Sequence, residues 1–299
     1  MNYCKAIDCA IEFIEINIKE KLTAQQIAEK AGYSVYHFCR VFVLEKGITL
    51  MDYVRSRKLS VARTELAKGK KITDVAADYG YETASGFAKP FKKEFGYSPT
   101  TYVVRMRDVD LKLLLTKIGG YIMGPVIRKK EAFKVAGYGI KTNIATSYTK
   151  DIAAYWDTYT GENLESKMYA QLDPPKHGEI GICTSATKDE NVVYLLGGIV
   201  EDFSKVTPDM IKVEVPAAEY AVFTTPAVDL TKADTSLNDP LADVVKATWK
   251  YIFEEWFPTS EYMYDESKVD FEFYDERCHF HPDATMEIYV PVIKKPLAQ

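Results

Sequence analysis

The chain has 299 residues, 47% of them hydrophobic, enough for two or three ordinary globular cores. No apolar run approaches the roughly 18 residues that cross a bilayer, and the first residues lack a basic stretch followed by an apolar one, so a membrane-spanning protein is excluded and a cytoplasmic location is expected. A net charge of −5 conceals a split: residues 1–120 hold 20 Lys and Arg against 14 Asp and Glu, and the remainder 18 against 29, so a basic module precedes an acidic one.

In chain order the first feature is a repeat. Ile27, Ala28, Gly32 and Tyr33 fall 48 positions before Val75, Ala76, Gly80 and Tyr81, and Phe38, Phe42, Gly47 and Tyr53 fall 49 before Phe87, Phe91, Gly96 and Tyr102. Each glycine follows an apolar helical pair at the place where a helix ends by accepting positive φ. The phenylalanines after it are four apart and share one helical face. A short helix, a sharp turn and an amphipathic second helix form a helix-turn-helix, whose second helix enters the major groove of DNA. A long amphipathic helix from Leu50 to Lys68 joins the two copies.

In the first copy the second helix starts at Ser34, a natural N-cap, and buries Val35, Phe38, Val41 and Phe42. Ser34, Tyr36, His37, Cys39 and Arg40 are left toward a groove. Arg40 can bond guanine O6 and N7 together, a contact worth about 1–3 kcal/mol against a wrong base. In the second copy the helix starts at Thr83 and presents Ala84, Ser85, Ala88 and Lys89, with Lys92 and Lys93 beyond. Small side chains and lysines suit phosphate contacts more than base reading. Pro90 predicts a bend or short break near Gly86. Arg55, Arg57, Lys58, Lys89, Lys92 and Lys93 are candidate phosphate clamps.

The segment from Lys5 to Arg107, above all I-T-D-V-A-A-D-Y-G-Y at 72–81 and F-A-K-P-F-K-K-E-F-G-Y-S-P-T-T-Y at 87–102, resembles the DNA-binding domain of the AraC/XylS family of transcription regulators. The resemblance implies base reading from Tyr36, Cys39 and Arg40. Cys39 departs from the longer amide-bearing side chain common at that position, so the operator of relatives does not carry over. It also implies double-stranded promoter DNA and RNA polymerase as partners and transcription activation as the output. With the long helix as a rigid spacer, the two reading helices can face one side of a duplex about 34–36 Å apart, so that a monomer binds an asymmetric site.

Residues 108–124, a helical tail broken by Gly119, Gly120 and Gly124, make a linker between a domain at 1–107 and one at 125–299. The second domain reads as two strand-helix-strand-strand repeats: 126–138, a helix at Asp151 to Tyr159, then E-I-G-I-C-T and V-V-Y-L-L-G-G-I-V; and 211–223, a helix at Leu241 to Trp256, then V-D-F-E-F-Y-D and M-E-I-Y-V-P-V-I. The fold class is therefore multidomain: an all-α N-terminal domain with two helix-turn-helix units joined by a long helix, plus an α+β C-terminal domain with both helices on one sheet face.

In V-D-F-E-F-Y-D, alternation sends Phe271 and Phe273 to one face and Glu272 and Tyr274 to the other. A carboxylate among aromatics attracts a cationic, hydrophobic molecule. Glu287 and Tyr289 repeat the pattern in the last strand. Together with V-P-A-A-E-Y-A-V-F and E-E-W-F-P-T-S-E-Y, these stretches resemble the GyrI-like effector-binding domain between Gly124 and Lys295, the combination found in AraC regulators of the Rob type. That resemblance implies a small amphipathic or cationic organic effector and a role in multidrug or stress response. It makes Glu272 the ligand carboxylate, walled by Trp156, Tyr194 and Tyr274.

Two other readings stay open. Glu272 with a tyrosine is the pair a hydrolase would use for acid–base chemistry, although no nucleophile with an orienting base accompanies it. The domain could instead dock a partner protein. The cysteines Cys4, Cys9, Cys39, Cys183 and Cys278 are odd in number and lack C-x-x-C spacing, so reduced thiols are expected. Cys278, His279 and His281 lack a second ligand group, so neither a metal nor another cofactor is expected.

Overall fold

In the computed structural model the residues described are 3–106, 122–144, 146–184, 191–231, 240–278 and 281–296. Two compact units divide the chain, Met1–Glu94 and Phe95–Gln299.

The first unit is helical. It comprises α1 (Tyr3–Ile16), α2 (Ala24–Lys30), α3 (Val35–Lys46), α4 (Leu50–Ala67), α5 (Ile72–Asp78) and α6 (Ala84–Phe95), whose last residue belongs to the second unit. The duplicated turns are duplicated in backbone: Gly32 and Gly80 have φ of 79° and 82°, and Gly47 and Gly96 of 73° and 86°. At both first glycines the next residue reaches back identically, Tyr33 N–H to Ala28 O at 3.0 Å and Tyr81 N–H to Ala76 O at 2.9 Å. A side chain at positive φ would strain each turn by about 1–2 kcal/mol.

Capping sets the helix starts. Thr23 forms a capping box with Gln26, Thr49 accepts from the Asp52 amide, and Thr83 Oγ1 accepts from Gly86 at 3.0 Å. Ser34 occupies the N-cap of α3 with extended backbone but makes no side-chain cap. Phe38, Phe42, Phe87 and Phe91 are at most 1% exposed, each worth about 1.5–3 kcal/mol of burial. α6 runs unbroken through Pro90, contrary to the expected break. The amide that proline lacks leaves unpaired only the Gly86 carbonyl one turn back, and Gly86 is exposed to water.

The second unit opens with the end of α6 and with α7 (Pro99–Met106), then builds a nine-stranded antiparallel sheet. Its strands are β1 (Val126–Lys130), β2 (Phe133–Asn143), β3 (Glu179–Cys183), β4 (Asn191–Val200), β5 (Ile211–Val215), β6 (Ala218–Thr224), β7 (Tyr262–Tyr264), β8 (Phe271–Tyr274) and β9 (Glu287–Lys294). The order is β1-β6-β9-β8-β3-β4-β2-β5, with β7 on β9. The helices are α8 (Tyr148–Gly161), α9 (Leu164–Leu172) and α10 (Pro240–Tyr251), the last continued by a π turn at Ile252–Trp256.

The two repeats are present with an exchange that alternation alone does not reveal. The stretches 126–138 and 211–223 each cover two consecutive strands that do not pair with one another, and the first strand of each pairs with the other half: β1 lies on β6 and β5 on β2. β3 and β8 join the halves at the centre through Glu179↔Tyr274, Ile180↔Phe273 and Gly181↔Glu272. One face of the sheet closes over Val135, Ile180, Leu195, Tyr220, Phe271 and Tyr289. It curls enough to bring Phe133 of β2 within 5.4 Å of Phe271 of β8, three strands away in sheet order. The helices cover the other face. Most of the expected 108–124 linker, residues 108–121, lies outside the described residues.

Candidate DNA interface and effector site

α3 carries the first set of candidate readers. Ser34, Tyr36, His37 and Arg40 are exposed, Tyr36 by 75%. One helical turn separates Tyr36 from Arg40, and the two side chains meet: the guanidinium lies 5.7 Å from the ring centroid and donates to the hydroxyl at 3.5 Å. His37 stacks on Tyr33 at 5.5 Å. Cys39 is only half-buried at the edge of the Phe38–Phe42 stripe rather than fully presented. On α6, Ser85, Lys89 and Lys93 are exposed and Lys92 is half-buried.

Three of the expected phosphate clamps have other work. Arg57 donates to both oxygens of Glu15 at 2.6 and 3.0 Å, and its hydrogen bonds hold that carboxyl below the usual range. Lys58 donates to the Glu20 carbonyl at 2.8 Å, and burial lowers its pKa. Arg55 pairs with Asp52. These cations fasten α4 to α1 and the loop after it, or to its own first turn, a use that charge counting in the sequence does not separate from DNA contact.

In the second unit, Glu272 and Tyr274 point to the helix-covered face, as alternation predicts. Trp249 of α10 donates its indole N–H to Glu272 Oε1 at 2.7 Å, and the Tyr274 hydroxyl donates to Oε2 at 2.8 Å. Gly181, directly opposite on β3, makes the room: a Cβ there would stand 3.2 Å from the Tyr274 ring and 3.4 Å from Glu272 Oε2. Tyr194 and Tyr274 are pushed well up by burial first and the Glu272 charge second. Tyr155, Tyr159 and Leu196 form the heart of an apolar cluster that includes Trp156, Tyr194 and Tyr274. The expected Trp156, Tyr194, Glu272 and Tyr274 therefore come together. A cleft of about 450 Å³ lined by Tyr138, Ile140, Tyr155, Thr158 and Leu164 borders this cluster.

Glu287 does not join them. Register pairs Phe273 with Glu287 and Phe271 with Tyr289, which puts Glu287 on the sheet face opposite Glu272. Its carboxylate accepts from the Tyr289 hydroxyl at 2.7 Å and faces Arg128 at 3.5 Å. β8 and β9 each alternate correctly, but the pairing offset between them decides the face, and a single strand does not carry that offset.

Trp249 and Arg105 are the residues sequence reasoning missed. Arg105 on α7 donates to Asp270 through Nε at 2.9 Å and through a second nitrogen, and to the Cys183 carbonyl at 3.0 Å. Its guanidinium sits 4.8 Å from the Trp249 ring centroid. Arg105 and Asp270 expose only 10% and 3% of their side chains. Two contacts, Glu272 to Trp249 and Trp249 to Arg105, thus connect the candidate ligand carboxylate to α7. Among the described residues no group of His, Cys, Asp and Glu is arranged to hold a metal, and His279 lies outside them. No helix among them is long and apolar enough to cross a membrane.

The fold defines a helix-turn-helix module of the DNA-binding type followed in the chain by an antiparallel α+β domain with a carboxylate set among aromatic side chains. Residues 27–105 match the family model of a helix-turn-helix domain, and residues 126–292, more than half of the chain, match that of the integron-associated effector binding proteins. The chain is 34% identical over 107 residues to regulatory protein SoxS of Salmonella typhimurium, covering 36% of this chain and 100% of SoxS. It is 36% identical over 110 residues to the transcriptional activator AarP of Providencia stuartii, covering 36% and 80%. It is 30% identical over 117 residues to the multiple antibiotic resistance protein MarA of Salmonella typhimurium, covering 38% and 92%. The chain belongs to the AraC family of DNA-binding transcription regulators, in the Rob-type arrangement with a GyrI-like effector-binding domain.

Proposed function

We propose that this regulator activates transcription in response to a cationic, partly aromatic small molecule that binds at Glu272, and that binding changes how α3 and α6 engage promoter DNA. The observation that carries the reading is the Glu272 constellation: a carboxylate held by Trp249 and Tyr274 beneath a wall of tyrosines, facing an aromatic cluster. A cation there gains charge attraction and cation–π contact in a poorly solvated place. It competes with the Trp249 indole for the carboxylate. Releasing Trp249 alters the surface on which Arg105 rests, and Arg105 belongs to α7, which follows the reading helix α6 after three residues, Gly96 to Ser98. The ligand needs this path to influence DNA, because coupling requires a contact that differs between the bound and free states.

On the DNA side, Arg40 and Tyr36 supply base reading and Lys89, Lys92 and Lys93 supply phosphate contacts, with the protein acting as a monomer in the cytoplasm and contacting RNA polymerase. Hydrolysis is the less favoured reading because both oxygens of Glu272 are already engaged as acceptors.

The test is calorimetry and thermal shift on the full chain with benzyltrimethylammonium and, for comparison, benzoate. The cation is expected to bind and raise the Tm of wild type, and Glu272→Gln to lose at least tenfold in affinity. Equal stabilisation by benzoate, or unchanged binding in Glu272→Gln, would overturn the proposal.

A further inference from the structure

Among the described residues, two buried side-chain polar atoms make no hydrogen bond: Glu179 Oε1 and the Tyr159 hydroxyl. Their residues are 7% and 5% exposed. Leaving a carboxyl oxygen and a phenol hydroxyl without a partner in an interior is costly, and native structures contain few such groups. Both belong to the same neighbourhood. Glu179 stands opposite Tyr274 across the β3–β8 ladder, and Tyr274 packs in the cluster built on Tyr155 and Tyr159. The Glu179 charge is felt by Tyr155 and Tyr159 of α8 and by Tyr169 of α9.

The position of Glu179 is no accident of one strand. The ladder Glu179↔Tyr274, Ile180↔Phe273, Gly181↔Glu272 has a local two-fold through its middle pair, and that two-fold exchanges Glu179 with Glu272. Each half of the domain thus contributes one carboxyl to the helix-covered face, in mirrored roles. Diagonal neighbours across an antiparallel pair have Cα atoms about 7–8 Å apart. The two carboxyls differ in their partners: Trp249 and Tyr274 hold Glu272, whereas Glu179 shares a hydrogen bond with the Glu165 carboxyl and keeps Oε1 without a partner, a pair of like groups whose shared proton a cation can replace.

We infer that Glu179, with Tyr159, is a second cation-binding subsite, so that the effector carries two cationic heads on a short aromatic body, one at Glu272 and one at Glu179. The inference rests on the reading of the Glu272 face as the effector site. Burial first, and the Glu165 carboxyl second, push Glu179 up to about 8, so the free subsite holds a proton that the second head displaces. The titratable groups facing it are Glu165 and Tyr169 of α9, Tyr155 and Tyr159 of α8, Tyr274 of β8 and Cys278 after it.

A matched pair of probes tests this on the full chain by calorimetry: 1,4-bis(trimethylammoniomethyl)benzene, with two quaternary heads, and benzyltrimethylammonium, with one. Wild type is expected to bind the double cation at least tenfold more tightly. Glu179→Gln should shrink that preference several-fold while leaving the single cation unchanged, and Glu272→Gln should weaken both probes. The unchanged single-cation affinity also shows that the variant is folded. Equal affinities for the two probes, or a preference that survives Glu179→Gln, would overturn the second subsite and leave Glu272 standing. Failure of wild type to bind either probe would overturn both readings.

Discussion

The two copies of the helix-turn-helix share left-handed glycine turns at matching positions, yet their final tyrosines serve different structures. Tyr53, which follows Gly47, packs edge-on against Phe42 at 5.4 Å inside the helical unit. Tyr102, its counterpart after Gly96, stacks on Tyr97 at 5.7 Å, meets Phe253 edge-on at 6.1 Å and donates to Glu254 at 3.0 Å. Tyr97 itself donates to the Phe253 carbonyl at 2.5 Å. The first copy is closed on itself, and the second ends in the core of the effector-binding unit. A duplicated motif keeps its backbone because glycine turns and aromatic faces demand it, while side chains that repeat at the same offset are free to be recruited elsewhere.

The largest expected effect lies where the second copy is recruited. Replacing Asp270 by Ala strands the buried Arg105 charge, which should cost about 3–5 kcal/mol in the unfolding transition of the effector-binding unit. In the closed first unit, Arg57→Ala removes a half-exposed pair and should cost under about 1 kcal/mol. Denaturant unfolding followed separately by the tryptophans, all of which lie in the second unit, and by helix content distinguishes the two. Similar losses from both substitutions would break the contrast. For the same reason a fragment beginning at residue 95 should be markedly more stable than one beginning at 125, which lacks α7.

A smaller effect separates the copies as DNA readers. On a duplex obtained by in vitro selection, Arg40→Ala should weaken specific binding by about 1–3 kcal/mol, roughly 5- to 150-fold, and relax preference at one base pair. A penalty that is equal on random duplexes would remove Arg40 from the readers.

How much of this was legible in the residues depends on the range of the interaction. Gly32 and Gly80, the Phe38–Phe42 and Phe87–Phe91 faces and the splitting of Phe271 from Glu272 all follow from spacing within a few positions, where helix and strand periods act. The exchange of β1 and β5 between halves, the opposite faces of Glu272 and Glu287, and the contact of Arg105 with Asp270 and Trp249 join residues far apart in sequence. No local period encodes those. Pro90 misled because its missing amide matters only if the carbonyl one turn back has no water to bond.

A pH experiment sharpens the picture inside the effector-binding unit. Glu179 titrates at about 8 in the folded protein against an ordinary 4.5. The folded state therefore holds this proton more tightly than the unfolded chain, and stability contributed at low pH is lost as pH rises from about 4.5 toward 8. The Tm of the second unit should fall by several degrees across that window, and Glu179→Gln should flatten the fall. An identical slope in the variant would relocate the titrating group. Smallest of all is Lys93→Ala, which should lower affinity about equally on every sequence and reduce the salt slope by about one.

In the proposed coupling, occupancy at Glu272 reaches the DNA-reading helices, and fluorescence anisotropy of the selected duplex with and without saturating benzyltrimethylammonium reads it out. Wild type should change its affinity for the duplex several-fold when the cation is present, and both Glu272→Gln and Trp249→Phe should be insensitive to it. An affinity for DNA that stays constant in wild type while calorimetry shows the cation bound, or a shift that persists in Glu272→Gln, would contradict the account.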